Sequence, residues 1–173
     1  NSEQLGDVHN PEFSMLEYYT MDFTDKDSIT LTHEMIKETA ISNPSWLKNE
    51  PLVITMEEAM KEFAGVDLLK AQEYGYLKSD GEVYLCDYPS QIECLAKDYP
   101  DRPYKKRWEM YIKGIEIANC YDEERDKDKI LSYYKREQEI LERERKATGD
   151  TISKADLSFA SLDMPQCSGG AIG

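Results

Sequence analysis

None of the four cysteines, Cys86, Cys94, Cys120 and Cys167, belongs to a C-x-x-C pair or falls at zinc-ligand spacing. That argues against a zinc-built fold and points to reduced thiols in a cytoplasmic protein. No apolar run approaches the roughly 18 residues of a membrane span and no signal peptide opens the chain, so no membrane association is expected. Positive charge is scarce, 21 Lys and Arg against 35 Asp and Glu, for a formal net charge of -14. A nucleic-acid-binding surface needs clustered Lys and Arg, and this segment does not offer one. An acidic chain suits a cationic small molecule, a divalent metal, or simply solubility. A Ser/His/Asp or Cys/His constellation for nucleophilic catalysis is also missing.

What is present suffices for one domain. Over 173 residues, 40% hydrophobic and 32% charged, the chain can bury a real core and does not read as disordered. Its most informative stretch is 108–123, WEMYIKGIEIANCYDE. A two-residue turn at Lys113-Gly114 folds it into a β-hairpin, since glycine tolerates the positive φ such turns need. In that register Tyr111 pairs with Glu116, and Glu109 lies two residues along on the same face. Two carboxylates on one pleated face beside aromatic rings are costly unless a cation or a donor-rich ligand compensates them. The alternative is a surface hairpin with solvated glutamates.

Around this hairpin the chain reads in order. From Glu12, a period of two puts Phe13, Met15, Glu17 and Tyr19 on one strand face and Leu16 and Tyr18 on the other, which predicts a strand covered on both sides. Residues 24–80 read as a peripheral helical section, with a short helix over 31–41 and a lone surface histidine, His33. Within it, 52–55 predicts a short strand, and Thr55 with Glu58 forms a capping box for a helix carrying Ala59, Met60, Phe63 and Ala64. A further helix is expected over 67–76. Residues 82–88 predict a buried strand ended by Pro89, and 98–106 a charged loop with two prolines. Residues 124–147 form a helix, acidic at its start and basic at its end, as the helix dipole favours. A short helix over 154–162 precedes PQCSGGAIG, a small-residue strand that lets a backbone or ligand approach closely.

Three of these segments, HNPEFSMLEYY, RWEMYIKGIEIANCYDEE and PQCSGGAIG, resemble in sequence and order the catalytic core of class II aminoacyl-tRNA synthetases. The subgroup is the lysyl/aspartyl/asparaginyl one. The first looks like the second half of motif 2, the second like the metal- and amino-acid-binding strands of lysyl enzymes, the third like the glycine-rich strand of motif 3. Within the family, the nearest likeness is to the lysyl-tRNA synthetase paralogs that attach lysine, preferably β-lysine, to a lysine side chain of elongation factor P. Those paralogs carry alanine where Ala171 stands, and lysyl-tRNA synthetases usually carry glycine.

The resemblance implies an α+β fold, an antiparallel β-sheet flanked by helices, with residues 1–173 as a partial class II catalytic domain. It implies activation of an amino acid with ATP and Mg²⁺. It implies Glu109 and Glu116 as metal ligands and Asn1, Ser2, Glu3, His9, Asn10, Phe13, Met110 and Gly173 on the ATP side. Glu17, Tyr19, Glu116, Asn119, Tyr121, Glu123 and Ala171 would bind lysine or β-lysine. Elongation factor P is the implied acceptor, with tRNA as the alternative, and a homodimer is implied for the full-length protein. A non-catalytic lysine- or protein-binding module is the third possibility. Convergence of Glu116 with Asn119, Tyr121 and Glu123 requires a β-bulge near residues 117–118. The family's two phosphate-binding arginines would flank Asn1 and Gly173, so the chain alone is expected to be inactive.

Overall fold

Strands whose two faces bury different things dominate the computed structural model, which describes residues 13–62, 81–148 and 156–173. The elements are β1 (Leu16–Met21), α1 (Asp25–Thr39), β2 (Leu52–Thr55), α2 (Met56–Glu62), β3 (Glu82–Pro89), β4 (Tyr104–Ile112), β5 (Ile115–Asp122), α3 (Lys127–Thr148), a 3-10 turn (Ser158–Ser161) and β6 (Cys167–Ile172). The strands form one six-stranded sheet in the order β1-β6-β5-β4-β3-β2. All neighbours are antiparallel except β2 and β3, which run parallel. The fold is α+β, as the sequence implies.

The hairpin forms where expected. Lys113 (φ 53°) and Gly114 (φ 82°) make the two-residue turn, closed by the Ile112–Ile115 pair. Both central residues sit in the left-handed region that such a turn requires. The bulge also forms: Met110 pairs with Ala118 and Tyr111 with Glu116, which leaves Ile117 as the extra residue. The Thr55 capping box is present, with Thr55 N–H donating to Glu58 Oε2 (2.9 Å) and Glu58 N–H to Thr55 Oγ1 (3.2 Å).

One face of the sheet is covered by α1, over Ile29, Tyr84, Cys86, Trp108, Met110, Ala118 and Cys120. The other carries a smaller core of Ile54, Met56, Ala59, Val83, Leu85, Tyr88 and Tyr111 at the β2–β3–α2 side. β3 is therefore buried on both faces, as its continuous apolar reading suggests.

Three expectations are corrected. First, α1 is not peripheral and begins at Asp25. Its inner stripe of Asp25, Ser28, Ile29, Thr32 and His33 falls at helical spacing but is mostly polar, so an apolar-stripe reading misses it. These groups are buried because the sheet satisfies them. Trp108 Nε1 donates to the Asp25 carbonyl (2.7 Å), Ser28 Oγ to Ser168 Oγ (2.8 Å), and Tyr18 OH meets Thr32 Oγ1 (2.6 Å). Second, His33 is buried rather than surface, with Nδ1 2.9 Å from Glu82 Oε1 and Nε2 3.3 Å from the Asn49 carbonyl. Third, β1 is an edge strand covered on one side only: Tyr18 packs toward α1, while Leu16, Tyr19 and Met21 remain exposed. In addition, the charged loop expected over 98–106 ends early, because β4 begins at Tyr104. The helix expected over 67–76 lies outside the described residues. Of the helix expected over 154–162, residues 156–162 are described, and they form only the 3-10 turn Ser158–Ser161.

Trp108 joins the sheet to α1 by packing and by its hydrogen bond, and it is fully buried. Trp108→Phe is expected to cost about 1–2 kcal/mol by orphaning the Asp25 carbonyl, and Trp108→Ala about 3–5 kcal/mol. Urea unfolding of both variants checks this, and a Trp108→Phe variant as stable as wild type would mean that the hydrogen bond contributes nothing.

Candidate active site

Cross-strand register sets residues from five strands in rows on the face away from α1. One row runs Glu17, Ala171, Asn119, Glu109, Leu85 across β1, β6, β5, β4 and β3. The next runs Tyr19, Gly169, Tyr121, Arg107. The slip at Ile117 returns Glu116 to this face opposite Tyr111, beside Glu109. Glu123, just past β5, hydrogen-bonds through its N–H to the Cys167 carbonyl (3.1 Å) and continues the alternation. The rows thus bring together Glu17, Tyr19, Glu109, Glu116, Asn119, Tyr121, Glu123 and Ala171.

The carboxylates are compensated unequally. Glu109 is buried and takes an ion pair from Arg107 on one oxygen. Its other oxygen accepts from Tyr88 OH (2.6 Å) and from Tyr111 OH. Burial and the neighbouring Glu109 charge push the Glu116 carboxyl above its ordinary value, against a hydrogen bond from Asn119 that lowers it. Burial raises Glu123 further, to about 7, with Asp122 adding to the shift. Tyr19 and Tyr121 flank it, and both hydroxyls are pushed up by their own burial and by the Glu123 charge.

Glu109 and Glu116 fit a Mg²⁺ ion in donor chemistry, both being hard oxygen ligands. A cation there would relieve the repulsion that raises Glu116. Among the described residues no three acidic, His or Cys side chains cluster as a metal cage. Two carboxylates are what Mg²⁺ takes when substrate phosphates complete its shell.

The other assigned residues divide. Asn1, Ser2, Glu3, His9 and Asn10 lie outside the described residues. Phe13 is 65% exposed, with its ring free to meet a planar group. Gly173 N–H donates to the Ile117 carbonyl (2.9 Å), which puts it beside the bulge. Met110 turns its side chain to the opposite face, fully buried in the cluster under α1, because it neighbours Glu109 in a strand of period two, so a ligand beside Glu109 could meet only its backbone. Two residues of the site were not anticipated. Arg107 had a signal, since it stands two before Glu109 on the same face. Tyr88 had none, because it arrives from another strand around a bulge at Asp87. Cys120 and Cys167 are free, buried thiols.

Residues 2–173 match the family model described as tRNA synthetases class II (D, K and N). The chain belongs to this family. Relatives of this synthetase family include lysine–tRNA ligase 2 of Methanosarcina acetivorans, 26% identical over 72% of this chain and 33% of that protein. An elongation factor P–(R)-β-lysine ligase homolog of Aquifex aeolicus is 27% identical over 99% of this chain and 64% of that protein. The lysine–tRNA ligase of Clostridium tetani is 26% identical over 95% of this chain and 42% of that protein. The chain spans between a third and somewhat under two thirds of the length of these relatives. No helix of the described residues is long and apolar enough to cross a membrane.

Glu123 makes a pH prediction. Its folded value of about 7 lies above the ordinary 4.5, so between those values the folded chain holds a proton that the unfolded chain has lost. Stability from this group is therefore present at low pH and is lost as pH rises through 7. Glu123→Gln is expected to stabilise the protein relative to wild type by roughly 1–3 kcal/mol more at pH 8 than at pH 4.5. Denaturation at the two pH values measures this, and a pH-independent difference refutes it.

Proposed function

We propose that this chain carries the amino-acid-activating face of an ATP-dependent ligase that adenylates lysine, β-lysine in particular, and transfers it to a lysine side chain of elongation factor P. The observation that carries this is the convergence of Glu17 and Glu123 with Tyr19, Tyr121 and Asn119 around Ala171. Two carboxylates between aromatic rings suit a ligand with two amines. Relatives named for each acceptor support the family-level chemistry equally. The side-chain methyl of Ala171, between Glu17 and Asn119 in the row, favours the elongation-factor branch over a lysine–tRNA ligase. A cytoplasmic homodimer is the assembly proposed with it.

In the reaction the carboxylate of the amino acid attacks the α-phosphorus of ATP, giving an aminoacyl-adenylate and pyrophosphate. The nucleophile is the substrate itself, so the protein's task is to orient the reactants and stabilise charge. Glu109 and Glu116 would hold Mg²⁺, which supplies neutralisation of the phosphates. Arg107, the Tyr88 hydroxyl and the Tyr111 hydroxyl fix the Glu109 carboxylate. Glu123 must lose its proton to pair with an ammonium group, and the ammonium in turn lowers its pKa.

ATP–pyrophosphate exchange by the full polypeptide with α- and β-lysine tests the proposal. β-Lysine is expected to support the faster exchange, and Ala171→Gly to shift the preference toward α-lysine by about tenfold or more. An unchanged ratio would count against the role of Ala171. The lysine KM should rise as pH falls below about 7, where Glu123 becomes neutral, and Glu123→Gln should raise it at pH 8 and abolish the pH dependence.

A further inference from the structure

Two adjacent glycines of β6 each lie beneath a tyrosine of β1. In the ladder Tyr18 pairs with Gly170 and Tyr19 with Gly169. A β-carbon on Gly170 would stand 2.7 Å from the Tyr18 ring, and one on Gly169 would stand 2.6 Å from the Tyr19 ring. Neither glycine has a positive φ, so the backbone would accept alanine and the methyl itself is the obstacle. Successive residues face opposite sides, and the two clearances therefore serve different ends.

On the α1 side the Tyr18 ring is locked, its hydroxyl on Thr32 Oγ1 at 2.6 Å and within 3.4 Å of the Ser28 carbonyl. That clearance seats the helix. On the other side the Tyr19 ring has no such anchor among the described residues and is 61% exposed. The methyl missing from Gly169 would also come 3.0 Å from Glu123 Oε1. One absent side chain thus makes room for an aromatic ring and a carboxylate at the same spot, with Gly169 as the floor between them.

We propose that Gly169 is a positioning residue that sets specificity in this pocket. By letting the Tyr19 ring settle over β6 against Glu123, it fixes the depth open to the ammonium end of a linear aliphatic amine. A cation held there meets the ring face and the carboxylate together, a pairing worth more than either alone when water is excluded. Any side chain at 169 lifts the ring and separates the two. This inference rests on the amine-activating function proposed above, and it adds a residue that touches no reacting atom.

The test compares Gly169→Ala, Gly170→Ala, Tyr19→Ala and the Gly169→Ala/Tyr19→Ala pair in the full polypeptide. Gly169→Ala is expected to raise the lysine KM by about tenfold or more while the ATP KM stays within about twofold. Gly170→Ala should instead lower the melting temperature without a selective effect on lysine. In the Tyr19→Ala background the Gly169→Ala effect should shrink to a small fraction of its size, because the ring it displaces is gone. An unchanged lysine KM, or a full effect in that background, overturns the assignment while leaving the ligase function standing. Should wild type activate no lysine isomer, the function fails and the assignment falls with it; in an active protein, a crystal structure of Gly169→Ala with an unmoved Tyr19 ring overturns the assignment alone. Should Gly169→Ala not fold, the double variant is expected to recover the fold, and failure to do so overturns the assignment.

Discussion

One extra residue, Ile117, holds the open face of the sheet together chemically. Strands alternate with a period of two, so in a regular β5 a residue three before Asn119 would face the opposite side. Glu116 would then enter the apolar cluster of Ile29, Cys86, Trp108 and Met110, where an unpaired carboxylate costs several kcal/mol. The bulge resets the phase and returns Glu116 to the side of Glu109, Asn119 and Tyr121. Its position is counted from the tight turn that ends three residues earlier, since Lys113 and Gly114 fix where pairing starts.

The two faces solve opposite problems. Under α1, the polar side chains that meet the sheet are mostly matched: Ser28 with Ser168, Tyr18 with Thr32, the indole of Trp108 with a helix carbonyl. On the open face, Glu109 is paired with Arg107, while Glu116 and Glu123 are left with raised affinities for protons. A chain selected for stability alone would not gather half-buried carboxylates that way. Such clusters persist where a ligand supplies the missing charge. The rigid face makes the unstable one possible, because α1 anchors the strands whose other side bears the carboxylates.

What was legible in the sequence was local or periodic. The turn at Lys113-Gly114, the Tyr111–Glu116 pair, the Thr55 capping box and the glycine strand all follow from spacing within a few residues, whereas the bulge followed from the site roles that the family resemblance implies. The face of Glu17 and Tyr19 did too, although not its exposure: pairing partners decide whether a strand is central or an edge, and no local pattern records them. α1 was underestimated because its buried stripe is written in Ser, Thr, Asp and His, which read as surface until the sheet's own donors and acceptors are placed opposite. Tyr88 reaches Glu109 from a different strand across a bulge at Asp87, whose positive φ of 60° no sequence rule marks.

At the far end of β5 the same alternation couples a buried charge network to Glu123. Here residues 95–99 wedge between β4 and β5: Lys97 N–H donates to the Asp122 carbonyl and Lys106 N–H to the Lys97 carbonyl (2.9 and 2.8 Å). Asp122, fully buried on the α1 side, is held by Lys106 at 3.1 Å, and its second oxygen has no partner. Nearby Asp87 is held by Lys26 and Arg102 at 2.8 and 2.9 Å. Buried ion pairs with an unsatisfied oxygen are poor sources of stability, since desolvation consumes most of the Coulombic gain. What they fix is position. Asp122 cannot turn outward without breaking its pair, so Glu123, the next residue, cannot turn inward. The unfavourable placement of Glu123 on the open face is thus enforced from the opposite side of the sheet.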